Sequence, residues 1–415
     1  KSNQSGNCHT RPHMGSFFVI LGISKLYLML LRPHQQKAIQ AMSRHNKGQV
    51  IVPTGGGKTM CMIQDAIEQF KSGRLKTVVV VAPRILLANQ LSEEFLEFIK
   101  DVDVLHVHSG ETHHTSTTNS QKIEEWHWKS KRHQLIFTTY HSLHKIQKAT
   151  AMLPDTVYFD EAHNAVQKNF VEAVEHHSMY VLRNYFFTAT PKHSLTPFKI
   201  GMNDTDIFGQ VICNVKAPKL VRQGYILPPK VKIKKFDILE DKEDVAERDS
   251  QHLLETLDDN NINKSLICAR STKQIVRLFT DSDFALGLEN RGYSWMFITA
   301  KTGGVINGKK VDRETFFNVL NSWGQDPHRK FVVAHHSILS EGINVKGLEA
   351  VLFMRKMDFI GISQSIGRVI RKGDASKTYG LICVPVYDKV GISTSKSVQT
   401  VVDTVFNQGK PAISV

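Results

Sequence analysis

The chain has 415 residues, 41% hydrophobic and 22% charged, enough for two ordinary domains each burying its own core, so a disordered chain is excluded. Lys plus Arg number 53 against 39 Asp plus Glu, a formal charge of +14 spread along the sequence without a basic tail; this suits a long polyanion lying on a folded surface, or simply a basic protein. Five cysteines, Cys8, Cys61, Cys213, Cys268 and Cys383, lie too far apart for a disulfide framework or a close zinc-gripping pair, which points to a reducing, intracellular compartment.

Residues 1–16 are polar, and residues 17–31 are apolar but broken by Gly22, Ser24 and Lys25. That run is short for a membrane span and no small-residue cleavage site follows it, so no membrane role is expected. We set residues 1–31 apart as an N-terminal extension. Residues 32–42 read as a helix opening at Pro33, with Ala38, Ile39 and Met42 apolar.

A short apolar strand then runs into Thr54, Gly55, Gly56, Gly57, Lys58 and Thr59, and a helical pattern follows with Met62, Ile63, Ala66, Ile67 and Phe70 on one side. Three glycines let the backbone curl so that successive N–H groups point at a phosphate, and the new helix adds its positive end. Lys58 would reach the β- and γ-phosphates of a nucleotide and Thr59 would hold Mg²⁺. The usual first glycine of such a loop falls at position 52, which is Val52. Gln35, just upstream, offers a two-sided amide for an adenine edge.

Residues 77–82 are a β-branched run expected of a strand covered on both faces. Pro83, Arg84 and a helix with Leu87, Leu91, Phe95 and Phe98 follow, and residues 106–133 read as a polar insertion whose histidines, His106, His108, His113 and His114, are expected to be loop residues rather than a metal site. Residues 135–140 form a strand ending in hydroxyls at Thr138 and Thr139. Residues 156–159 form another, ending in Asp160, Glu161, Ala162 and His163. A carboxylate at the carboxyl end of a parallel strand is where an open α/β sheet puts its ligand chemistry, so Asp160 is the candidate Mg²⁺ ligand and Glu161 the group that polarises water. The strand of residues 185–187 likewise ends in Thr188 and Thr190. The alternation of strands and helices describes one doubly wound parallel domain, residues 32–227.

Pro218, Gly224, Pro228 and Pro229 break the pattern, and a second unit, residues 228–386, is expected to repeat the grammar with strands at 265–269, 295–298, 331–334 and 350–353. Residues 387–415 are left as a C-terminal tail, with a further domain or a protein partner left open. The second unit has no phosphate loop. Its useful groups are Gly342 and Asn344 in residues 340–344, and Gln364, Arg368 and Arg371, which a continuous helix would place on one face as a phosphate clamp. Gly367 stands there at a point where close approach to another surface is expected.

These motifs, in this order over residues 31–386, resemble superfamily 2 helicases and translocases of the DEAH type, and within them the restriction-type, repair-type and large-DNA-virus members. The resemblance implies two tandem RecA-like domains of α/β class with ATP and Mg²⁺ in the cleft between them. It implies that Gln35, Thr54 to Thr59, Asp160, Gly342 and Asn344 bind nucleotide, that Glu161, Gln364, Arg368 and Arg371 serve hydrolysis, and that His163, Thr188 and Thr190 couple it to motion. Arg84, Thr139 and Arg270 would grip nucleic acid, with DNA favoured over RNA. Two positions depart from the family pattern: Asn344 replaces a frequent Asp, and Val369-Ile370 replaces a frequent Ala-Gly. The expected function is an ATP-dependent helicase or translocase. An ATP-gated binding or sensing module that separates no strands, and the motor part of a restriction enzyme, are the alternatives.

Overall fold

A computed structural model describes residues 31–236, 245–299, 302–336, 345, 347–355, 357–372, 377–387 and 391–410. The extension before residue 31, Gly342, Asn344 and residues 411–415 lie outside the described residues.

Seven strands, β1 (Lys47–Ile51), β2 (Thr77–Ala82), β3 (Val102–Val107), β4 (His133–Thr139), β5 (Thr156–Phe159), β6 (Arg183–Thr188) and β7 (Val211–Asn214), form one sheet in the order β3-β4-β2-β5-β6-β1-β7. Every pairing in it is parallel. β2 shows why: Val78 and Val80 enter one apolar cluster while Val79 and Val81 enter another on the opposite face, so the strand is buried on both sides. β5, with the candidate carboxylates at its tip, runs between β2 and β6 near the middle. The helix Lys58–Phe70 is tied beneath the sheet by a buried polar knot, in which Asp65 accepts from Arg183 at 2.8 Å and from the Tyr158 hydroxyl at 2.5 Å.

Eight further strands, β8 (Pro229–Phe236), β9 (Lys264–Cys268), β10 (Ser294–Thr299), β11 (Gly303–Ile306), β12 (Lys309–Val311), β13 (Phe331–His335), β14 (Ala350–Phe353) and β15 (Gly380–Tyr387), form the second sheet in the order β12-β11-β10-β13-β9-β14-β15-β8. The two-sheet α/β architecture expected from the motifs therefore holds, with one departure. β11 and β12 are antiparallel at the edge, joined by Asn307 and Gly308, both at positive φ. That is the tight turn whose backbone twist matches a hairpin.

Two other expectations change. Residues 106–133 are not a polar insertion throughout: His106 closes into β3, buried, with His108 Nε2 3.0 Å and Ser92 Oγ 3.1 Å from its ring nitrogens, and it stacks on His114. Burial first, and the neighbouring histidines second, hold His106 down to about 3, so it behaves as a neutral core residue. Nor is the end of the chain an appended tail, since Val398, Val401, Val402, Val405 and Phe406 are buried in the same cluster as Ala217 and Leu220. No helix among the described residues is long and apolar enough to cross a membrane.

Candidate functional site

The glycine loop leaves β1 and turns twice through the left-handed region, at Gly55 and Gly57, each with φ +82°. The start of the helix Pro33–Arg44 fixes the loop from behind. Arg32 Nη1 donates to the Gly55 carbonyl at 3.4 Å, His34 Nε2 lies 2.7 Å from the Gly56 carbonyl, and Gln35 Nε2 donates to the Gly57 carbonyl at 3.2 Å. Because a trans peptide points its carbonyl and its N–H in opposite directions, holding the Gly56 and Gly57 carbonyls turns the Gly57 and Lys58 N–H groups the other way, whereas the Gly56 N–H donates to the Pro53 carbonyl at 2.9 Å. Val52, at the position of the missing glycine, is accommodated because residue 56 has no side chain: a Cβ there would meet Val52 Cγ1 at 2.5 Å.

Gln35, expected to offer its amide to an adenine edge, is also held against the loop. Its Oε1 accepts from the Arg32 N–H at 2.8 Å and its Nε2 donates one of its two N–H groups to Gly57; the side chain is buried and does not line the cleft. Gln35 braces the loop. The groups that do face the cleft at that end are Arg32 and Tyr225, with the guanidinium 4.9 Å from the ring centroid.

Asp160 and Glu161 are both buried at the tip of β5. Lys58 Nζ lies 3.1 Å from Glu161 Oε1. Burial, and then the charge of Glu161, push the Asp160 carboxyl up. Burial acts the same way on Glu161, but Lys58, His163 and Arg368 outweigh it and hold that carboxyl down. A second carboxylate kept ionised beside a first that resists ionisation is a donor set short of positive charge, and Asp160 and Thr59 both line the cleft where a divalent cation would meet them. The Thr54 hydroxyl is buried without a hydrogen-bond partner, as expected where a phosphate oxygen would supply one.

His163 gathers the residues expected from the motifs to couple hydrolysis to motion. Its Nδ1 is 3.0 Å from Thr188 Oγ1, 3.3 Å from Thr190 Oγ1 and 3.6 Å from Glu161 Oε2, and its Nε2 is 3.4 Å from Gln364 Nε2 on the second sheet's side. One imidazole thus touches the tips of β5 and β6 and the other half of the molecule.

The helix Phe359–Val369 brings Gln364 and Arg368, both buried, into the cleft. It stops at Val369, so Arg371 is not on its face as the periodicity predicted. Arg371 instead follows the helix, held by a bridge to Ile226 and by the Leu227 N–H donating to the Ile370 carbonyl at 2.7 Å, and it reaches the same cleft from there. Burial, then the neighbouring Arg371, push Arg368 down to about 10. Gly367 lies directly on the glycine loop: a Cβ would fall 2.3 Å from Thr54 Cβ. Gly367→Ala is therefore expected to open the joint between the halves, at about 1–3 kcal/mol of overpacking; in ATPase assays the turnover that the motifs lead one to expect should be lost while thermal melting stays cooperative.

The cleft so formed has a volume of about 1010 Å³ and is lined from one side by Thr54, Gly55, Gly57, Lys58, Thr59, Asp160 and Glu161, and from the other by Gln364, Arg368 and Arg371. Glu94 also lines it and carries no sequence signal. Arg84, Thr139 and Arg270 do not line it. They follow or close the carboxyl ends of β2, β4 and β9, with Arg84 and Arg270 exposed and Thr139 buried. Arg84 caps the helix Ile85–Phe98 and lies close enough to Arg313, across the boundary between the sheets, to repel its charge.

Residues 28–193 match the family described as "Type III restriction enzyme, res subunit". No curated protein sequence matches the chain significantly. Among solved structures, the chain is similar to the ATP-dependent Type ISP restriction-modification enzyme LlaBIII bound to DNA, with TM-score 0.69 and 19% identity over 93% of this chain and 31% of that one. It is also similar to a fragment of a putative HsdR subunit of a type I restriction enzyme from Vibrio vulnificus, with TM-score 0.62 and 15% identity over 95% of this chain and 71% of that one. A third is Mss116p bound to single-stranded RNA and AMP-PNP, with TM-score 0.60 and 16% identity over 90% and 72% of the two chains. At these identities the structural matches show the fold alone. The chain spans less than a third of the length of LlaBIII. The resemblance to restriction-type helicases, drawn first from the motifs, is met over residues 28–193 by the family match, and the structural matches add the fold.

Proposed function

We propose that the chain is a nucleic-acid motor that hydrolyses ATP between its two sheets, of DEAH type, with DNA the favoured track. The carrying observation is that buried and half-buried groups from both halves converge on one cleft: Lys58 and Glu161 in contact from one side, Arg368 and Arg371 from the other, with Gly367 seated on Thr54. Residues 32–227 would form the nucleotide-holding domain and residues 228–386 the domain that completes the site, inside an intracellular protein.

In this reading the inward N–H groups of the loop and the Lys58 ammonium bind the phosphates, and the Thr54 hydroxyl gains its missing partner. Thr59 and Asp160 would hold Mg²⁺, which would neutralise phosphate charge in the cleft. Glu161 orients the attacking water and accepts its proton. Arg368 and Arg371 stabilise charge as the γ-phosphoryl leaves, so turnover requires both halves closed. His163 passes the state of Glu161 to Thr188, Thr190 and Gln364. Nucleic acid would lie across the strand tips carrying Arg84, Thr139 and Arg270, gripped at phosphates without sequence readout.

Steady-state ATPase assays with no polymer, single-stranded DNA, duplex DNA or RNA, each at two salt concentrations, test this. Stimulation by DNA that weakens steeply with salt is expected, because each phosphate contact releases counterions. A rate indifferent to every polymer would reject the motor, and stimulation without strand displacement or movement in a translocation assay would favour a sensing module.

A further inference from the structure

Tyr140 directly follows Thr139 at the end of β4 and is almost wholly enclosed, 1% exposed. Its hydroxyl donates to the Asp160 carbonyl oxygen at 2.9 Å. Its ring stacks on Phe159 and Phe170, at 6.3 and 5.7 Å between centroids. Its own N–H donates to the Ala82 carbonyl at 3.1 Å, and the Asp160 N–H donates to the neighbouring Val81 carbonyl at 2.9 Å. One side chain therefore joins the tips of β4 and β5, while its backbone joins the tip of β2 just before Arg84.

The accepting carbonyl belongs to the peptide that links Asp160 to Glu161. A peptide is planar, so fixing its carbonyl fixes the approach to Glu161. Glu161 has φ +46° and ψ +53°, a left-handed conformation that is strained for a residue with a side chain and persists only where its surroundings impose it. On the far side, the Glu161 carbonyl accepts from the Asn164 N–H and from Asn164 Nδ2, both at 3.0 Å. Burial, with Asp160 and Glu161 adding to it, raises the Tyr140 hydroxyl well above its ordinary range, so it stays protonated as a donor.

We propose that Tyr140 is a positioning residue whose hydroxyl pins the Asp160–Glu161 peptide in its left-handed turn, aiming the Glu161 carboxylate at Lys58 and the cleft. Because Thr139 is its chain neighbour, the same side chain ties a strand tip facing nucleic acid to the carboxylate that handles water. This deepens the ATPase reading and rests on it.

Tyr140→Phe keeps the stacked ring and removes only the hydroxyl. The expected result is a fall in kcat of about ten- to a hundredfold with affinity for a fluorescent ATP analogue nearly unchanged, because a misaimed group costs turnover rather than binding. In the nucleotide-free protein, hydrogen exchange should quicken at residues 161–164 and stay unchanged at residues 55–59. Wild-type kcat with unchanged exchange would overturn the proposal, and so would a joint loss of kcat, affinity and protection across the whole domain, which a merely structural tyrosine would give. A wild-type protein that hydrolyses no ATP would remove the ATPase reading, while the exchange comparison would still decide the role of Tyr140.

Discussion

Lys58→Ala is expected to abolish ATP turnover, lowering kcat by about 10³-fold or more. The ammonium is nearly buried, and it lies 3.1 Å from Glu161 Oε1. Two functions are therefore lost together. The β- and γ-phosphates lose the point charge that the glycine loop aims at them. Glu161 loses the first of the cations that keep its buried carboxyl ionised, leaving His163 and Arg368 to offset burial alone, so its carboxyl rises and it becomes a poorer acceptor for the proton of water. Phosphate release under saturating ATP and Mg²⁺ measures the loss, and thermal melting separates it from unfolding. Turnover equal to the wild type would remove the glycine loop from the chemistry.

What could be read from the sequence, and what could not, follows from the distance over which each feature is encoded. The glycine loop and the Asp160–His163 turn are contiguous, and their backbone demands are written in the residues that meet them. β2 was legible because four consecutive valines serve two faces at once. β3 was not: His106 within it and His108 just after it read as polar letters, yet both are buried, and burial holds their rings below their ordinary range. The edge hairpin carried a signal, Asn307-Gly308 between β-forming residues, that went unread. The bracing contacts of Gln35 were hidden for another reason. Its partners are the Arg32 N–H and a carbonyl 22 residues downstream, and nothing local distinguishes an amide that braces a loop from one that reads a base. Tyr225 belongs to the crossing between the sheets, and only tertiary structure brings it over Arg32. Helical spacing correctly brought Gln364 and Arg368 together but carried Arg371 too far, because the bridge to Ile226 ends the helix before any glycine or proline announces it.

Arg368→Ala is expected to lower kcat by about 10³- to 10⁵-fold while leaving nucleotide affinity nearly intact, the pattern of a group that acts on the charge developing at the γ-phosphoryl. Several observations separate Arg368 from a solvated helix face. It is buried, it lines the cleft opposite Lys58, and its guanidinium is near enough to Glu161 to lower that carboxyl. Gly367 on Thr54 explains how it arrives, since only a residue without a side chain lets the helix Phe359–Val369 rest on the glycine loop. Arg368→Lys should recover little, because an ammonium keeps the charge but loses the planar fork that meets two phosphate oxygens. Single-turnover hydrolysis beside a fluorescent-nucleotide titration makes the distinction. Loss of both kcat and affinity would make Arg368 a ground-state binder, and an unchanged kcat would mean that the first sheet hydrolyses ATP without the second, leaving closure of the two halves with no chemical consequence.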